Sequence, residues 1–253
     1  MIRRLVTMSL RPVRAKRLMR YRAADVRTYA VRHTLRLLCR PAVSLRLERV
    51  GSQYGGWVIP TDQLKPGAVC YCAGAGEDIS FDLELVQRFG CEVYTIDPTP
   101  RAQRHVASVA GNLRGLHYIP LGLWSSKQRV RFYSPRNPEH VSYSIVNLQG
   151  TRDYIEAECT TVADLMAHHG HEELDLLKMD VEGAEYEVLE NLLASDVEVG
   201  ILCVEFDQPS PIHRTTRMVS KLNNAGYKLA NVDSFNFTFL KEDRFERLHP
   251  TKR

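Results

Sequence analysis

Short apolar runs alternate along most of the chain with segments in which apolar residues recur every three or four positions. Such runs are typical of buried strands, and the three-to-four spacing is typical of amphipathic helices. Strands are predicted at residues 68–73, 91–96, 117–121 and 200–207, and residues 129–133 alternate as a further strand. Strands that alternate with helices predict an α/β fold around a mostly parallel sheet.

The last part of the chain predicts a hairpin at one edge of this sheet. Residues 227–232 and 235–240 both have strand-like sequences, and only a short turn separates them. Two strands this close must pair antiparallel, because a parallel return would need a crossover connection.

The first of the central strands ends in a glycine-rich turn. The turn and the start of the following helix comprise Gly74, Ala75, Gly76, Glu77 and Asp78. Glycines here let the backbone bend sharply and approach a ligand closely. Asp97 ends the next strand about 20 residues later, where an acid can accept bonds from both ribose hydroxyls. The pattern predicts a site for a dinucleotide or for S-adenosyl-L-methionine, and an ordinary strand-to-helix turn is the alternative.

The position of a third glycine favours S-adenosylmethionine over a dinucleotide. A dinucleotide site has glycine three residues after Gly76, so that the helix can hold a pyrophosphate, but this chain has Ile79. S-adenosylmethionine carries no phosphate and does not need that glycine. Three residues after the third strand predict an apolar and aromatic surface for adenine: Gly122, Leu123 and Trp124.

Two loops contain candidate contacts to a substrate. Tyr54 and Trp57 flank paired glycines, which predicts either a lid over a ligand or a hairpin turn with packed aromatic rings. Residues 134–144 form a long polar loop, and its candidates are His140, Ser142, Tyr143 and Ser144. Long loops in compact domains are often functional, but a mobile surface loop has the same composition.

Acidic residues follow two further buried strands. Residues 174–179 lead to Asp180 and a turn that contains Glu182, and the strand at 200–207 contains Glu205 and Asp207 near its end. The carboxyl ends of parallel strands meet at one edge of a sheet, so Asp180, Glu205 and Asp207 are predicted to converge near the glycine turn. Glu182, Glu205 and Asp207 are candidate substrate contacts there. The three converging acids offer the oxygen ligands that Mg²⁺ prefers, yet their spacing forms no compact metal motif, and we expect a site without metal.

Basic residues are concentrated at the start of the chain. Residues 1–40 contain twelve Arg or Lys and a single acid, Asp25, whereas the rest has 22 bases and 29 acids. Residues 21–39 have the spacing of an amphipathic helix, with Val26, Tyr29, Ala30, His33 and Leu37 on one stripe. This helix is expected either to lie on an anionic membrane or polyanion, or to pack on the domain with a solvated basic face.

Cysteine spacing and hydropathy limit the cellular compartments in which the protein is expected. The six cysteines include no C-x-x-C pair, and they indicate neither a zinc site nor a disulfide framework. No apolar run is long enough to span a membrane or to form a secretory signal, although arginine richness is also compatible with a transit peptide. A cytoplasmic protein, with membrane association through its basic start, is expected.

Several stretches together resemble the FkbM-type methyltransferases. The most specific is the 16-residue segment Leu174–Leu189 (LDLLKMDVEGAEYEVL), preceded as in that family by Cys159–Leu165 (CTTVADL). The segments 51–57, 74–81 and 97–100 are similar to a bacterial branch of the family. The chain departs from many methyltransferases in ending its first strand with Cys72 instead of an acid, and Glu77 or Asp78 is the candidate replacement.

The resemblance implies a Rossmann-like, seven-stranded methyltransferase sheet with a C-terminal antiparallel hairpin over residues 43–253, after a basic helical extension at 1–42. It implies S-adenosylmethionine-dependent methylation of a hydroxyl on a sugar, glycolipid or natural product, with Asp180 as the first candidate base and His140 as the second. A catalytically silent cofactor-binding protein and a nicotinamide-dependent oxidoreductase are the alternatives. No specific nucleic-acid partner is expected, because the chain lacks an Asn-Pro-Pro-Tyr or Asp-Pro-Pro-Tyr motif for a flipped base.

Overall fold

The structure, a computed structural model, describes residues 26–43, 45–137, 139–207 and 211–243. Its strands are β1 (Glu48–Val50), β2 (Trp57–Ile59), β3 (Val69–Ala73), β4 (Glu92–Ile96), β5 (Leu116–Ile119), β6 (Gly122–Leu123), β7 (Gln128–Tyr133), β8 (Tyr154–Thr160), β9 (Leu174–Met179), β10 (Val199–Glu205), β11 (Tyr227–Asp233) and β12 (Asn236–Lys241). Its helices are α1 (26–38), α2 (Ser80–Phe89), α3 (Pro100–Ala110), α4 (Val162–His169), α5 (Glu185–Ala194) and α6 (Ile212–Asn224), with a 3-10 turn at Thr61–Gln63.

Seven of these strands form one sheet in the order β11-β12-β10-β9-β3-β4-β5. Strands β3, β4, β5, β9 and β10 are mutually parallel, and β12 pairs antiparallel with both β10 and β11. The chain begins the sheet at β3, moves outward through β4 and β5, and returns to β9 on the other side of β3. The predicted Rossmann-like sheet with a C-terminal antiparallel hairpin is confirmed.

The central strands are buried on both faces, which explains why their sequences are almost continuously apolar. On one face Tyr71, Leu177 and Leu202 belong to the larger core cluster, which also includes buried residues of α1, α4, α5 and α6. On the other face Cys70 and Leu176 pack with residues of α2 and of the β1–β2 hairpin. The sheet is therefore the middle of three layers, and its carboxyl edge is the place where the loops meet.

A second, three-stranded sheet has the order β6-β8-β7 and lies in the chain between β5 and β9. Strand β7 was predicted, whereas β8 and α4 were not. The loop after β7 returns to this sheet at Ser144, which exchanges two backbone hydrogen bonds with Tyr133. The insertion therefore holds part of the long polar loop in a defined position.

The paired glycines at residues 55 and 56 lie in the turn of an antiparallel hairpin between β1 and β2. Trp57 is buried in the core beneath α2 with 3% of its surface exposed, while Tyr54 is 88% exposed. The Trp57 ring thus packs in the core, whereas the Tyr54 ring projects from the turn.

Helix α1 packs against the same core as the sheet. Leu35 and Cys39 are buried in the larger cluster, and Ala42 N–H donates to the carbonyl of Leu229 in β11. The packed-helix expectation thus holds for the described part of this segment. The predicted helical residues 21–25, like all of 1–25, lie outside the described residues, and the domain boundary after residue 42 stays a prediction. Within the described ranges no helix is long and apolar enough to cross a membrane.

Candidate functional site

A cleft of about 480 Å³ opens at the carboxyl edge of the sheet. It is lined by residues that follow β3, β4, β9 and β10, and by the loop after β7. The cleft lies where the chain order reverses between β3 and β9, which is where open α/β sheets bind their ligands. Its volume is in the range of small-molecule sites, about 300 to 1,000 Å³.

The glycine turn after β3 is pressed against the end of β9. Gly74 has a φ of 84°, and a Cβ at this position would lie 1.7 Å from the backbone oxygen of Asp180. The Asp180 N–H donates to the carbonyl of Ala73 at 3.1 Å. The first glycine is therefore needed for the contact between two strand ends, whereas the sequence had suggested close approach to a ligand.

Asp97 lies at the cleft and holds the glycine turn in place. Its Oδ2 accepts hydrogen bonds from the N–H groups of Ala75 and Gly76, at 3.0 and 3.2 Å. Its Oδ1 accepts bonds from the N–H and the hydroxyl of Thr99, at 2.8 and 2.6 Å. A carboxylate has about four acceptor positions, and all of them are used here by the protein. Binding of ribose hydroxyls by Asp97 would have to share or replace one of these bonds.

Glu77 and Asp78, the candidate replacements for an acid at Cys72, both line the cleft but have protein partners. Glu77 forms a two-point ion pair with Arg101, at 2.6 and 2.8 Å. Asp78 accepts bonds from the Ser52 hydroxyl and the Gly55 N–H of the β1–β2 turn. Burial alone would raise the pKa of Asp78, but these bonds and those from Ser80 lower it. Asp78 therefore ties the hairpin turn to the start of α2.

An apolar wall forms the part of the cleft predicted for adenine. Gly122 and Leu123 line it as expected, but Trp124 does not, because its ring packs against the core. The aromatic ring at the wall belongs to Phe132 of β7, whose Cζ would lie 2.6 Å from a Cβ on Gly122. Sequence analysis predicted β7 as a strand but did not connect Phe132 with the site.

The predicted acids at the ends of β9 and β10 do meet. Asp180, Glu205 and Asp207 each offer a carboxylate oxygen, and these oxygens lie within 4.8 Å of one another. Glu182 lies in the turn after β9 and also faces the cleft. Glu185, at the start of α5, is fully buried beside Asp207, and its Oε1 accepts a bond from the N–H of Gly183 at 2.7 Å.

Burial, with the charge of neighbouring carboxyls, raises the pKa of several of these acids. Burial, together with the charge of Asp180, raises the pKa of Glu205 to about 8. Burial raises the pKa of Glu182 to about 7, against an opposing hydrogen bond from Ser142. Burial and the adjoining Glu185 carboxyl raise the pKa of Asp207 far above its usual range, so the pair shares a proton. Much of the cluster is therefore neutral at physiological pH.

Lys178 supplies the positive charge of the cluster. It lies in β9 with 5% of its surface exposed, and its Nζ donates to the Gly74 carbonyl at 2.6 Å and lies 3.6 Å from Oδ2 of Asp180. Burial would lower the pKa of Lys178, but the charges of Asp180 and Asp82 raise it. Asp82 is itself buried on α2, and its pKa rises to about 6 because of burial. A lysine in a strand whose only other charged residue is Asp175 was the sequence signal for this residue, and it was missed.

The long polar loop brings two of its four candidates to the cleft. Ser142 and Tyr143 line it, whereas the exposed His140 does not and instead offers its backbone carbonyl to Arg101. The loop is anchored by Ser144, whose hydroxyl donates to the carbonyl of Glu182 at 2.6 Å. This places the predicted second base outside the site.

The two aromatic candidates at the β1–β2 hairpin lie in different environments. Tyr54 lines the cleft and is largely exposed, so its ring is available to a substrate. Trp57 is not a substrate contact, because it is buried in the core.

The pKa of Glu205 leads to a test by pH. When the pKa of a carboxyl is higher in the folded than in the unfolded protein, the free energy of unfolding falls as pH rises between the two pKa values, here from about 4.5 to about 8. We expect Glu205→Gln to flatten the fall in the free energy of unfolding over this interval and to melt above the wild type at pH 8.5. Urea unfolding at several pH values measures this. Glu158→Gln, at an exposed position of β8, is the matched control. Equal slopes of the free energy of unfolding against pH in all three proteins would contradict the raised pKa of Glu205.

The sheet order, the cleft at the chain reversal and the acid-ended strands define a Rossmann-like protein of the methyltransferase type. The Methyltransferase FkbM domain model matches residues 72–229, and the chain belongs to that family. The resemblance drawn from the sequence is thereby confirmed.

Similar proteins include the probable methyltransferase-like protein 24 of two mammals. The Homo sapiens protein is 27% identical over 179 residues, which cover 68% of this chain and 38% of that protein. The Rattus norvegicus protein is 29% identical over 138 residues, which cover 53% of this chain and 31% of that protein. The matched segments thus span about a third of the length of these relatives.

Solved structures with a similar course of the chain include two archaeal fibrillarins. The Methanococcus jannaschii fibrillarin pre-rRNA processing protein has a TM-score of 0.43 and 14% identity, over 71% of this chain and 68% of that one. Aeropyrum pernix fibrillarin, solved with natively bound S-adenosyl-L-methionine, has a TM-score of 0.40 and 13% identity, over 80% and 85%. At scores this low, the strand order described above remains the evidence for the fold.

Proposed function

We propose that the protein transfers a methyl group from S-adenosylmethionine to a hydroxyl group of a sugar, glycolipid or natural product. S-adenosylmethionine is the cofactor that membership of this methyltransferase family implies. The observation that carries the choice of a hydroxyl acceptor is the position of Asp180. It lies at the end of β9, against the glycine turn and open to the cleft, among carboxyls that largely hold protons.

The charge of the cleft supports a cationic cofactor over a dinucleotide. Among the described residues that line it, eight are acids and three, Arg32, Arg49 and Lys178, are bases. Protons on Glu182, Glu205 and Asp207 leave five of these acids against the three bases, so the cleft remains negative. A negative cleft attracts the sulfonium and ammonium groups of S-adenosylmethionine, and it repels a pyrophosphate. Ile79 is buried where a dinucleotide site would have its third glycine. These features argue against the nicotinamide-dependent alternative.

The chemistry requires the protein mainly to position two reactants. The cofactor supplies an electrophilic methyl group, and the carbon–sulfur bond breaks as the new carbon–oxygen bond forms. Holding the acceptor oxygen in line supplies about 7 to 11 kcal/mol of the barrier. Asp180 accepts the proton of the hydroxyl, and the Lys178 ammonium fixes the orientation of its carboxylate. Tyr54, Ser142 and Tyr143 are placed to hold the acceptor at the mouth of the cleft.

Calorimetry and a transfer assay test this function. We expect S-adenosylmethionine to bind and NAD⁺ not to bind, and we expect label from methyl-tritiated cofactor to appear in at least one member of an acceptor panel of sugars, glycolipids and polyketides. Binding of NAD⁺ alone would identify an oxidoreductase. Cofactor binding without transfer to any acceptor would identify a silent binding protein.

Asp97 provides a sharper test of the cofactor site. Asp97→Asn removes one charged acceptor, and we expect affinity for S-adenosylhomocysteine to fall by about 1.5 to 3 kcal/mol. Comparison with the 2′-deoxy analogue shows how Asp97 acts. If Asp97 binds the ribose directly, loss of the hydroxyl weakens binding in the wild type but not in the variant. If Asp97 acts only through the glycine turn, the loss of affinity caused by the substitution and the loss caused by the missing hydroxyl add. Unchanged affinity in the variant would remove Asp97 from the site.

Metal removal tests the acid cluster. We expect methyl transfer to continue at its full rate after exhaustive treatment with EDTA, because the Lys178 ammonium already lies against Asp180 and protons occupy Glu205 and Asp207. The assay is repeated with added Mg²⁺ or Mn²⁺. Activity that is lost with EDTA and restored by either ion would overturn the metal-free mechanism.

A further inference from the structure

Helix α1 has apolar residues on two opposite faces. Successive residues of an α-helix are about 100° apart, so Val26 and Leu37 lie about 180° and about 160° from the buried Leu35. The stripe predicted from the sequence as the amphipathic face therefore points away from the core. Val26 is 67% exposed, Tyr29 is 71% exposed and Leu37 is 52% exposed. Leu38, beside this stripe, is 61% exposed.

Arginines border the outward stripe on both sides. By the same geometry Arg27 lies on one side of Val26 and Leu37, and Arg36 lies on the other. Arg32 and Arg40 add to this charge, and no acidic residue occurs from residue 26 to residue 47. Among the described residues, no ion pair joins any of these four arginines to an acid. An apolar stripe between unpaired cations is the pattern of a helix that lies in a membrane interface.

We propose that the outward face of α1 binds the surface of an anionic lipid bilayer. Charge complementarity distinguishes this partner from the others that could cover the stripe. A second copy of the chain would bring the same arginines into contact with each other. Residues 1–25 contain eight further Arg or Lys and one acid, so they would also be repelled from α1 and attracted to the same lipid. RNA would neutralise the arginines but leave the apolar stripe in water.

Membrane binding through α1 would place the cleft near the lipid surface. Arg32 lines the cleft and its guanidinium lies over the ring of Phe235, 5.1 Å from the centroid. The same helix thus contributes to the cleft wall and carries the outward stripe. The proposal does not depend on the methyl acceptor, because lipid binding is measured without turnover.

The test uses the full chain and sedimentation with vesicles. We expect at least tenfold stronger partitioning to phosphatidylcholine vesicles with 30% phosphatidylglycerol than to pure phosphatidylcholine, and release by 0.5 M NaCl. Tyr29→Ser with Leu37→Ser should lower partitioning about tenfold or more. Arg27→Gln with Arg36→Gln should lower it about fivefold for each charge.

Matched substitutions on α3 are the controls. Val109→Ser and Arg104→Gln change an exposed apolar and an exposed basic residue, and both should partition as the wild type does. Melting temperatures show that every variant is folded. Wild-type partitioning by the α1 variants would assign the binding to residues 1–25 and overturn the proposal. The proposal would also be overturned by equal partitioning to neutral and anionic vesicles or by displacement of the vesicles by a short RNA. A dimer that dissociates in the variant with Tyr29→Ser and Leu37→Ser would overturn it too.

Discussion

Replacement of Asp180 with asparagine is expected to lower kcat for methyl transfer by about 10²- to 10⁴-fold, the usual contribution of a positioned general base. Asparagine keeps the shape of the side chain but does not accept the acceptor's proton. Since the backbone contact of Asp180 with Ala73 is unaffected, the glycine turn and the cofactor affinity should change little. Steady-state kinetics with any acceptor that supports turnover, together with calorimetry, measure both quantities.

A second acid at the cleft is the matched control for this substitution. Asp233 lines the cleft but forms an exposed ion pair with Arg49, and Asp233→Asn should leave kcat within about threefold of the wild type, because such pairs contribute little. If Asp180→Asn kept a wild-type kcat, the proton would have to leave by another route, and Asp180 would be a structural residue.

Replacement of Lys178 with methionine is expected to lower the free energy of unfolding by about 3 to 5 kcal/mol. Methionine fills a similar volume but leaves Asp180 and the buried Asp82 without their cation, and it leaves the Gly74 carbonyl without its donor. Loss of one member of a buried charge pair typically has this cost. Urea unfolding of the cofactor-free protein at pH 7.5 measures it.

The loss should depend on pH in a way that identifies its cause. Below the pKa of Asp82, which is about 6, that carboxyl takes up a proton, so the difference between variant and wild type should shrink at pH 5. Lys221→Met is the control, because Lys221 is exposed and pairs with Glu190 on the surface; it should cost less than about 1 kcal/mol. Equal effects of the two substitutions would contradict a special role for Lys178.

The sheet could be predicted because its strands are apolar on both faces and end in recognisable turns. The β11–β12 hairpin also follows from local spacing, and a hairpin turn was one of the two alternatives for the loop that contains the paired glycines. Strand β8 was missed, although its exposed residues alternate with less exposed ones as in a half-buried strand. For α1 the periodicity was detected, but periodicity alone does not tell which of two apolar faces packs against the core.

Site residues could be predicted where they follow a strand of the sheet, because the strand fixes their position. Site residues in loops were predicted less well. Asp180, Glu205 and Asp207 follow parallel strands, so their convergence follows from topology. His140 and Trp124 were chosen for chemical type within loops, and the direction of a loop side chain depends on contacts that are distant in sequence. The placement of Phe132 depends on such contacts too, because the insertion sheet brings it to the cleft wall.

Ser144 links two parts of the molecule that are far apart in the chain. Through its backbone it is paired with β7, and through its hydroxyl it is bonded to the turn that follows Asp180. The long polar loop and the turn after Asp180 are therefore tied to each other through this residue. In a chimaera with another family member, we expect acceptor preference to be exchanged only when the segment from β7 to Ser144 is moved together with the turn after Asp180, while the glycine turn and Asp97 keep the cofactor half unchanged.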